Sequence, residues 1–506
     1  MANENLHKAK EAKNDEFYTQ LNDVAEELRH YKEHFKGKVV FCNCDDPTSS
    51  AFWRYFHLNF DHLGLKKLIS THYDKKRPTY KMEYTGGDDN NIEAGVKTPL
   101  EGNGDFRNQE CIDLLEEADI VVTNPPFSLF RDYVSVLEEH NKKFLIIGNP
   151  NAVTYKEFFP LLKENKVWIG AKPWSSEMYF GVPEEQADYL VKNKKEGSAY
   201  VIRNGQILGR AATLWFTNLD IKKRHEKLIL WKNYTPAEFP QYDNYDAINV
   251  DKVSNIPCDY CESWEVTEEE FKNLSADEWE ITREGEFDGE KSFFIIPAAN
   301  TELRKLLHEH TAGYKEEIEK EISKKIQKNI NNDRLPSGRQ AAERQKDIVT
   351  DSSEHQLLSS TDTIQNNLKS LDTNMTSTET EALELSTDNL KLEAAENINE
   401  LSSERYCNGV AGVPITFLDK YNPEQFEIIG MLQSSTDEQA GIPNLRYYNS
   451  FREMRQDMSY TGASGGKANG NPVIKEKPKK GNFLYNEETG EYVHSVYARI
   501  VIRCKL

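Results

Sequence analysis

Short apolar runs alternate with helical patterns through the first 155 residues, and that alternation leaves few folds open. Lys38-Val-Val-Phe-Cys-Asn43, Lys66 to His72, Asp119-Ile-Val-Val-Thr123 and Lys143-Phe-Leu-Ile-Ile-Gly148 read as strands. Ala51 to Phe60, Glu110 to Glu117 and Phe130 to His140 read as the helices between them. Strands buried on both faces are near-continuous apolar runs, and crossover helices cover those faces. The expectation is therefore an α/β fold with a doubly wound, mainly parallel sheet. Tyr80 to Asn103, rich in Gly, Asp and Asn, reads as a long surface loop or an irregular hairpin.

Beyond residue 155 the pattern changes to short aromatic-rich strands, Val167 to Gly170, Met178 to Gly181 and Ala212 to Thr217, which suggests an α+β second domain. Gly412 to Asp419, Glu427 to Gly430 and Tyr492 to Cys504 resume that style. The window between them differs. Residues 261–405 hold 33 acidic and 17 basic side chains, a net of −16 out of the −21 of the whole chain. Within it, Thr301 to Ile330 reads as one or two charged helices, and Thr350 to Ser403 as a low-complexity stretch too poor in apolar residues to build a core. The expected domains are 1–155, 156–260, an acidic and partly disordered insertion over 261–405, helical then low-complexity, and 406–506. An intein would also begin at Cys261 and end before Cys407, but Arg405-Tyr406 stands where such an element carries His-Asn.

No run of about 18 apolar residues occurs and the first residues lack an apolar signal segment, so a cytoplasmic, non-membrane protein is expected. Seven cysteines in 506 residues are too sparse for a disulfide framework. Cys258 and Cys261 form one CxxC, and without a second close pair or a His partner no metal is expected.

Asn124-Pro125-Pro126-Phe127, directly after an apolar strand, carries the strongest chemical signal. The exocyclic amine of a nucleobase is a poor nucleophile because its lone pair is delocalised into the ring. A carboxamide oxygen and a backbone carbonyl, from Asn124 and Pro125, can accept its two N–H bonds and draw the nitrogen toward tetrahedral geometry. Two prolines keep the acceptors converged, and Phe127 offers a face on which an extruded base can stack. A strand-ending turn is the competing reading of the same four residues.

With that motif the chain resembles the S-adenosylmethionine-dependent amino-methyltransferases, and more closely the EcoRI-type adenine-specific (N6) DNA methyltransferases. The resemblance rests on Lys13-Asn-Asp-Glu-Phe-Tyr-Thr19, Phe41-Cys-Asn-Cys-Asp-Asp-Pro47, Asn124-Pro-Pro-Phe127 and Gly412-Val-Pro-Ile-Thr-Phe-Leu-Asp-Lys-Tyr-Asn-Pro423. It runs from the start to about residue 260 and again from about 407 to the end, with the motifs in the γ-type order. It implies a sheet of the methyltransferase type, a target-recognition domain in two parts (156–260 and 406–506), and S-adenosyl-L-methionine as cofactor. It further implies a cofactor loop at Asn43, Asp45 and Asp46, although no Gly-rich loop is present. Asp74 would accept the ribose hydroxyls, with a surface turn beside Lys75, Lys76 and Arg77 as the competing reading. Asp105 would accept the cofactor's adenine amine and Phe106 pack its ring. Tyr18 and Thr19 would close over the methionine part, with a helix start as the alternative.

So acidic a chain at first argues against a nucleic-acid partner. Sorted by position, the charge concentrates in one window, while Arg446 to Leu506 holds 11 basic and 6 acidic residues. Arg446, Lys467, Lys475, Lys477, Lys479 and Lys480, interleaved with tyrosines and with the flexible glycine-rich loop Ser464 to Gly470 ahead of Lys475 to Lys480, suit a phosphate backbone, with a solvated face as the competing reading. The resulting expectation is a monomeric enzyme that methylates N6 of a flipped adenine in double-stranded DNA, paired with a restriction endonuclease. A glutamine or RNA-base methyltransferase, and a non-catalytic binding protein inactivated by the insertion, are the alternatives.

Overall fold

The structure of the protein, a computed structural model, describes residues 18–44, 46–74, 78–174, 176–333, 405–433 and 439–505. They fall into two compact units, one of residues 1–257 with 411–503, the other of 258–410 with 504–506.

The first unit is organised by an eight-stranded sheet made of β1 (Val39–Cys42), β2 (Lys67–Thr71), β3 (Tyr80–Tyr84), β4 (Val96–Pro99), β5 (Ile120–Thr123), β6 (Lys143–Gly148), β7 (Trp168–Ile169) and β8 (Leu214–Thr217). Its order is β4-β3-β2-β1-β5-β6-β8-β7. The four central strands β2, β1, β5 and β6 are parallel, as their unbroken apolar runs require. Both edges are antiparallel: the β3–β4 hairpin on one side, β8 and β7 on the other. The glycine-rich stretch after Tyr80 is thus a hairpin that extends the sheet. Nor does the sheet stop at residue 155, since β7 and β8 come from the segment expected to begin a recognition domain.

Side chains alternate across the strands, and helices cover both faces. Val40, Cys42, Leu68, Ile120, Val122, Leu145 and Ile147 pack with Val24 and Leu28 of α1 (Leu21–Leu28) and Phe52, Trp53 and Phe56 of α2 (Ala51–Leu58). On the other face lie Cys111, Leu114 and Leu115 of α3 (Gln109–Glu117) and Phe130, Tyr133, Val134 and Leu137 of α4 (Phe130–Glu139). There the rings of Phe130 and Phe216 approach to 5.7 Å. Ser50 starts α2 by accepting from the N–H groups of Phe52 and Trp53, both at 3.1 Å.

A buried carboxylate ties α1 to the strand-edge loop after β7. Glu27, fully buried, accepts from the Tyr31 hydroxyl at 2.8 Å and from the N–H groups of Ala171 and Lys172 at 2.6 and 2.7 Å. Burial pushes its pKa up against these three bonds, which favour the ionised form. Three smaller sheets complete the unit. In one, Tyr18–Thr19 pairs antiparallel with Met178–Gly181, so this segment is a strand rather than a helix start. Another is built from Ile248–Asn249, Val410–Pro414, Arg499–Cys504 and Phe426–Leu432. The third contains Arg452–Met454, Tyr460–Ser464, Phe483–Tyr485, Tyr492–Ser495 and Val473–Ile474.

The second unit corrects the expectation of a segment that is helical and then low-complexity. It begins with strands: Trp279–Phe287, Glu290–Pro297, Glu262–Thr267 and Tyr406–Asn408 form an antiparallel sheet in that order. Asp288 and Gly289, both at positive φ (51° and 80°), make the two-residue turn of its hairpin. The two helices expected after Thr301 are present as Glu302–Glu309 and Tyr314–Asp333, and Leu307, Ile318 and Ile322 pack on Trp264, Trp279 and Ile295. The stretch Thr350 to Ser403 lies outside the described residues. Among the described residues no helix is long and apolar enough to cross a membrane.

Glu27→Ala would leave two part-buried N–H groups and a buried phenol without their acceptor. Urea denaturation of the variant should show a loss of about 3 kcal/mol, from about 1–3 kcal/mol per orphaned buried group; an unchanged midpoint would refute the role of Glu27 as a tie.

Candidate active site

From β1 the chain moves outward to β2 and later returns to the other side of β1 to form β5, so the strand order reverses between β1 and β5. Ligands of open α/β sheets bind outside the carboxyl ends of the strands at such a point. Asn43 to Asp46 follows β1 there, and Asn124 to Phe127 follows β5.

Buried hydrogen bonds centred on Asn43 join three strand ends. The Asn43 carboxamide oxygen accepts from Thr71 Oγ1, at the end of β2, at 3.1 Å and from the N–H of Cys44 at 2.7 Å. Its backbone carbonyl accepts from Thr123 Oγ1, at the end of β5. Asn43 is 3% exposed and both threonines are fully buried. Both oxygens of Asn43, a residue expected to contact the cofactor, are thus engaged within the protein and hold the strands together. Cys44 turns the chain with φ of 68°, and Asp45 lies outside the described residues.

Asp46 stands at the mouth of the loop, its side chain 37% exposed. Its Oδ1 accepts from the N–H and Oγ1 of Thr48, at 2.9 and 2.8 Å, and from the Tyr80 hydroxyl at 2.8 Å. His72 Nε2 lies 3.9 Å from its Oδ2. Burial raises its pKa, but the bonds from Thr48 and Tyr80 outweigh burial, so the carboxyl sits below its ordinary value of 3.8.

The second wall is built from residues after β2 and before α3. The N–H of Asp74 donates to the Asn103 carbonyl at 3.0 Å, and that of Thr79 to the Gly102 carbonyl at 3.3 Å. Gly104, at φ of 73°, lies so close to the His72 carbonyl that a Cβ would collide with it. Asp105 differs from a free acceptor: Arg107 holds it with Nε and Nη2 at 2.9 and 2.7 Å, and chiefly for that reason its pKa is lowered. Phe106 was expected against the cofactor's ring. It is instead 4% exposed and edge-on to Tyr133 at 4.9 Å, because the turn into α3 drives it under α4.

In the Asn-Pro-Pro-Phe motif, Asn124 is half-buried and Pro125 buried, and Pro126 opens a short turn in which the Leu129 N–H donates to its carbonyl at 3.0 Å. Phe127 packs on the apolar cluster between the sheet, α1 and α2. Thr19 is buried, and its Oγ1 has no partner among the described residues, as is true of His72 Nδ1 and Thr79 Oγ1. Orphaned polar atoms together with a partly exposed carboxylate fit a polar, hydroxyl- and amine-bearing cofactor. Sequence reasoning missed Thr71, Thr123, Thr48, His72 and Tyr80. Thr48 belongs to the turn after Asp46, whereas only the topology brings the others to one sheet end.

The residues expected to follow DNA divide in two groups. Arg446 is an internal hub, bound to Asp243 at 2.7 Å and to both oxygens of Glu491 at 2.9 and 2.6 Å, with its pKa raised by those carboxylates. Asp243 is 4% exposed and also accepts from the Tyr448 hydroxyl. Lys475 stays 63% exposed while pairing with Asp243 at 3.1 Å. Lys477 lies over the rings of Phe483 and Tyr492. Lys467, Lys479 and Lys480 are exposed. The glycine-rich stretch beside Lys467 is an ordered turn, Gly465–Ala468, with Gly465 packed on Tyr448.

A parallel-centred sheet with an acidic loop and an Asn-Pro-Pro-Phe turn at its switch point defines a methyltransferase of the class that acts on amino groups. The profile of the family described as adenine-specific methyltransferase EcoRI matches residues 5–352 and 393–505, and the chain belongs to that family. Among curated proteins it is similar to Type II methyltransferase M.EcoRI of Escherichia coli, 46% identical over 273 residues that make up 51% of this chain and 82% of that protein. Type II methyltransferase M.MpnI of Mycoplasma pneumoniae is 40% identical over 258 residues, 50% of this chain and 77% of that protein. Type II methyltransferase M.MgeORF184P of Mycoplasma genitalium is 40% identical over 261 residues, 50% and 78% of the two chains. No solved structure matches. The family match continues through residue 352, so the acidic window is not foreign to the family as its composition suggested; the match is interrupted only over 353–392.

Two outcomes follow from the strand-end geometry. Thr123→Val, nearly isosteric, removes one buried bond and should cost about 1–2 kcal/mol of stability in urea denaturation; no loss would show that the tie to Asn43 is unimportant. Because the folded state lowers the Asp46 pKa below 3.8, its stabilisation is complete above that value and is lost as the pH falls through the lower folded value. Asp46→Asn should therefore be less stable than the wild type at neutral pH, and the gap should close in acid; a gap independent of pH would contradict the assignment.

Proposed function

We propose that this enzyme, an adenine-specific DNA methyltransferase of its family, transfers the methyl group to N6 of an adenine extruded from double-stranded DNA. The observation that carries the reading is the placement of Asn124-Pro-Pro-Phe127 beside the Asn43 to Asp46 loop, joined through Thr123 and Asn43. S-adenosylmethionine, which the family implies as donor, supplies when bound an electrophilic methyl on a sulfonium centre. Asp46 and Asp74 accept from its hydroxyl or ammonium groups, and Thr19 lines the methionine end with Tyr18. Asp105, though shared with Arg107, keeps lone pairs for the adenine amine of the cofactor.

In the target half, Asn124 Oδ1 and the Pro125 carbonyl accept the two N–H bonds of the adenine amine, which localises the nitrogen lone pair for in-line attack. Pro125 and Pro126 restrict the turn, so little reorganisation is needed at the moment of transfer. Phe127, backed by the apolar cluster, presents a stacking surface that offsets the few kcal/mol cost of base extrusion. Lys467, Lys475, Lys477, Lys479 and Lys480 meet phosphates and set the register on DNA; they read no bases. The proposal includes functional pairing with a restriction endonuclease of the same site specificity, a reading supported by the likeness to proteins named Type II methyltransferases.

Asn124→Ala should lower single-turnover transfer to N6 of adenine about 10²–10³-fold, the typical cost of removing one oriented hydrogen-bonding group. Cofactor affinity, measured by calorimetry, should stay near the wild-type value. Undiminished transfer would overturn the assignment of Asn124.

A further inference from the structure

Tyr80 is the first residue of β3, and β3 runs antiparallel to β2 with Lys81 opposite Thr71. A strand antiparallel to its neighbour begins where that neighbour ends, so Tyr80 is delivered to the ligand side of the sheet, beyond the carboxyl end of β2. Its ring stands edge-on to His72 at 4.9 Å, and Lys97 Nζ lies 3.6 Å from its centroid on β4. The ring is thus held from two elements, and its hydroxyl reaches Asp46 Oδ1 at 2.8 Å. Burial, and then the Asp46 charge, push the phenol's pKa up to about 12, so it is a donor throughout the working pH range.

The distribution of donors over the carboxylate is uneven. Oδ1 receives three, from Tyr80 and twice from Thr48, whereas Oδ2 has only His72 Nε2 at 3.9 Å among the described residues. Two of the Oδ1 donors belong to the loop's own turn. The third, Tyr80, comes from another element and is the one that fixes the carboxylate against rotation relative to the sheet.

We propose that Tyr80 is a positioning residue of the cofactor pocket, locking Asp46 through Oδ1 so that Oδ2 is presented to a hydroxyl or ammonium donor of S-adenosylmethionine. This rests on the reading of Asp46 as a cofactor ligand. Tyr80 touches neither reacting atom, so its loss should weaken cofactor capture and leave the chemical step alone.

The test is calorimetric titration of S-adenosylmethionine into the full chain as wild type, Tyr80→Phe, Asp46→Asn and the double variant, with steady-state transfer measured alongside. Tyr80→Phe should weaken binding about tenfold, the scale of one hydrogen bond to a charged group, and raise KM for the cofactor with kcat unchanged. In the Asp46→Asn background it should add nothing. Wild-type affinity in Tyr80→Phe with weakened binding in Asp46→Asn would overturn the positioning role and leave Asp46 as a ligand. Wild-type affinity in Asp46→Asn would overturn both. A fall in kcat at saturating cofactor would place Tyr80 in the chemical step instead and also overturn the proposal.

Discussion

One buried asparagine sets the geometry on which the rest of the site depends. Asn43 accepts from Thr71 with its side chain and from Thr123 with its backbone, so the ends of β1, β2 and β5 are joined where no strand ladder reaches. Inside a protein such bonds are strong, and leaving any member unpaired is costly. The segments that follow β1 and β5, the proposed cofactor and target loops, are consequently tied together at their roots. Two loops with independent sway would not keep a methyl donor and an amine acceptor within the narrow range that in-line transfer needs.

The charge of the chain has a different physical meaning once the fold is known. The described part of the acidic window, residues 261–333, is a folded sheet-and-helix unit with its own core of Trp264, Trp279, Ile295 and Ile318. The stretch outside the family match, 353–392, holds seven acidic and two basic residues, so most of the excess negative charge lies within family-matched sequence. A net charge averaged over both units therefore says little about the DNA-facing surface. Local potentials rather than net charge govern attraction to phosphates, and the proposed DNA contacts Lys467, Lys479 and Lys480 are exposed.

The central strands were legible because parallel strands buried on both faces must be apolar throughout, and Val39 to Cys42 and Ile120 to Thr123 are buried at every position. Asn124-Pro-Pro-Phe127 was legible because its residue types make an unusual acceptor pair after a strand. The ties were not: Thr71, Thr123 and Tyr80 are unremarkable in sequence, and only strand order brings them to Asn43 and Asp46. The internal partners of Arg446 and Phe106 were hidden for the same reason, since a buried Asp243 or a neighbouring Tyr133 cannot be seen from local composition. The hairpin at Asp288-Gly289 did carry a local turn signal, but the weight of surrounding charge hid the alternation of its strands.

The unity of the two loops is tested most directly by a double-mutant cycle of Thr71→Val and Thr123→Val, read as the single-turnover rate of methyl transfer to DNA adenine at saturating cofactor. The two threonines touch different atoms of Asn43, so the expected result is strong non-additivity, with a coupling of about 1 kcal/mol or more. Strictly additive effects, or a wild-type rate in the double variant, would contradict the view that Asn43 holds donor and acceptor loops together.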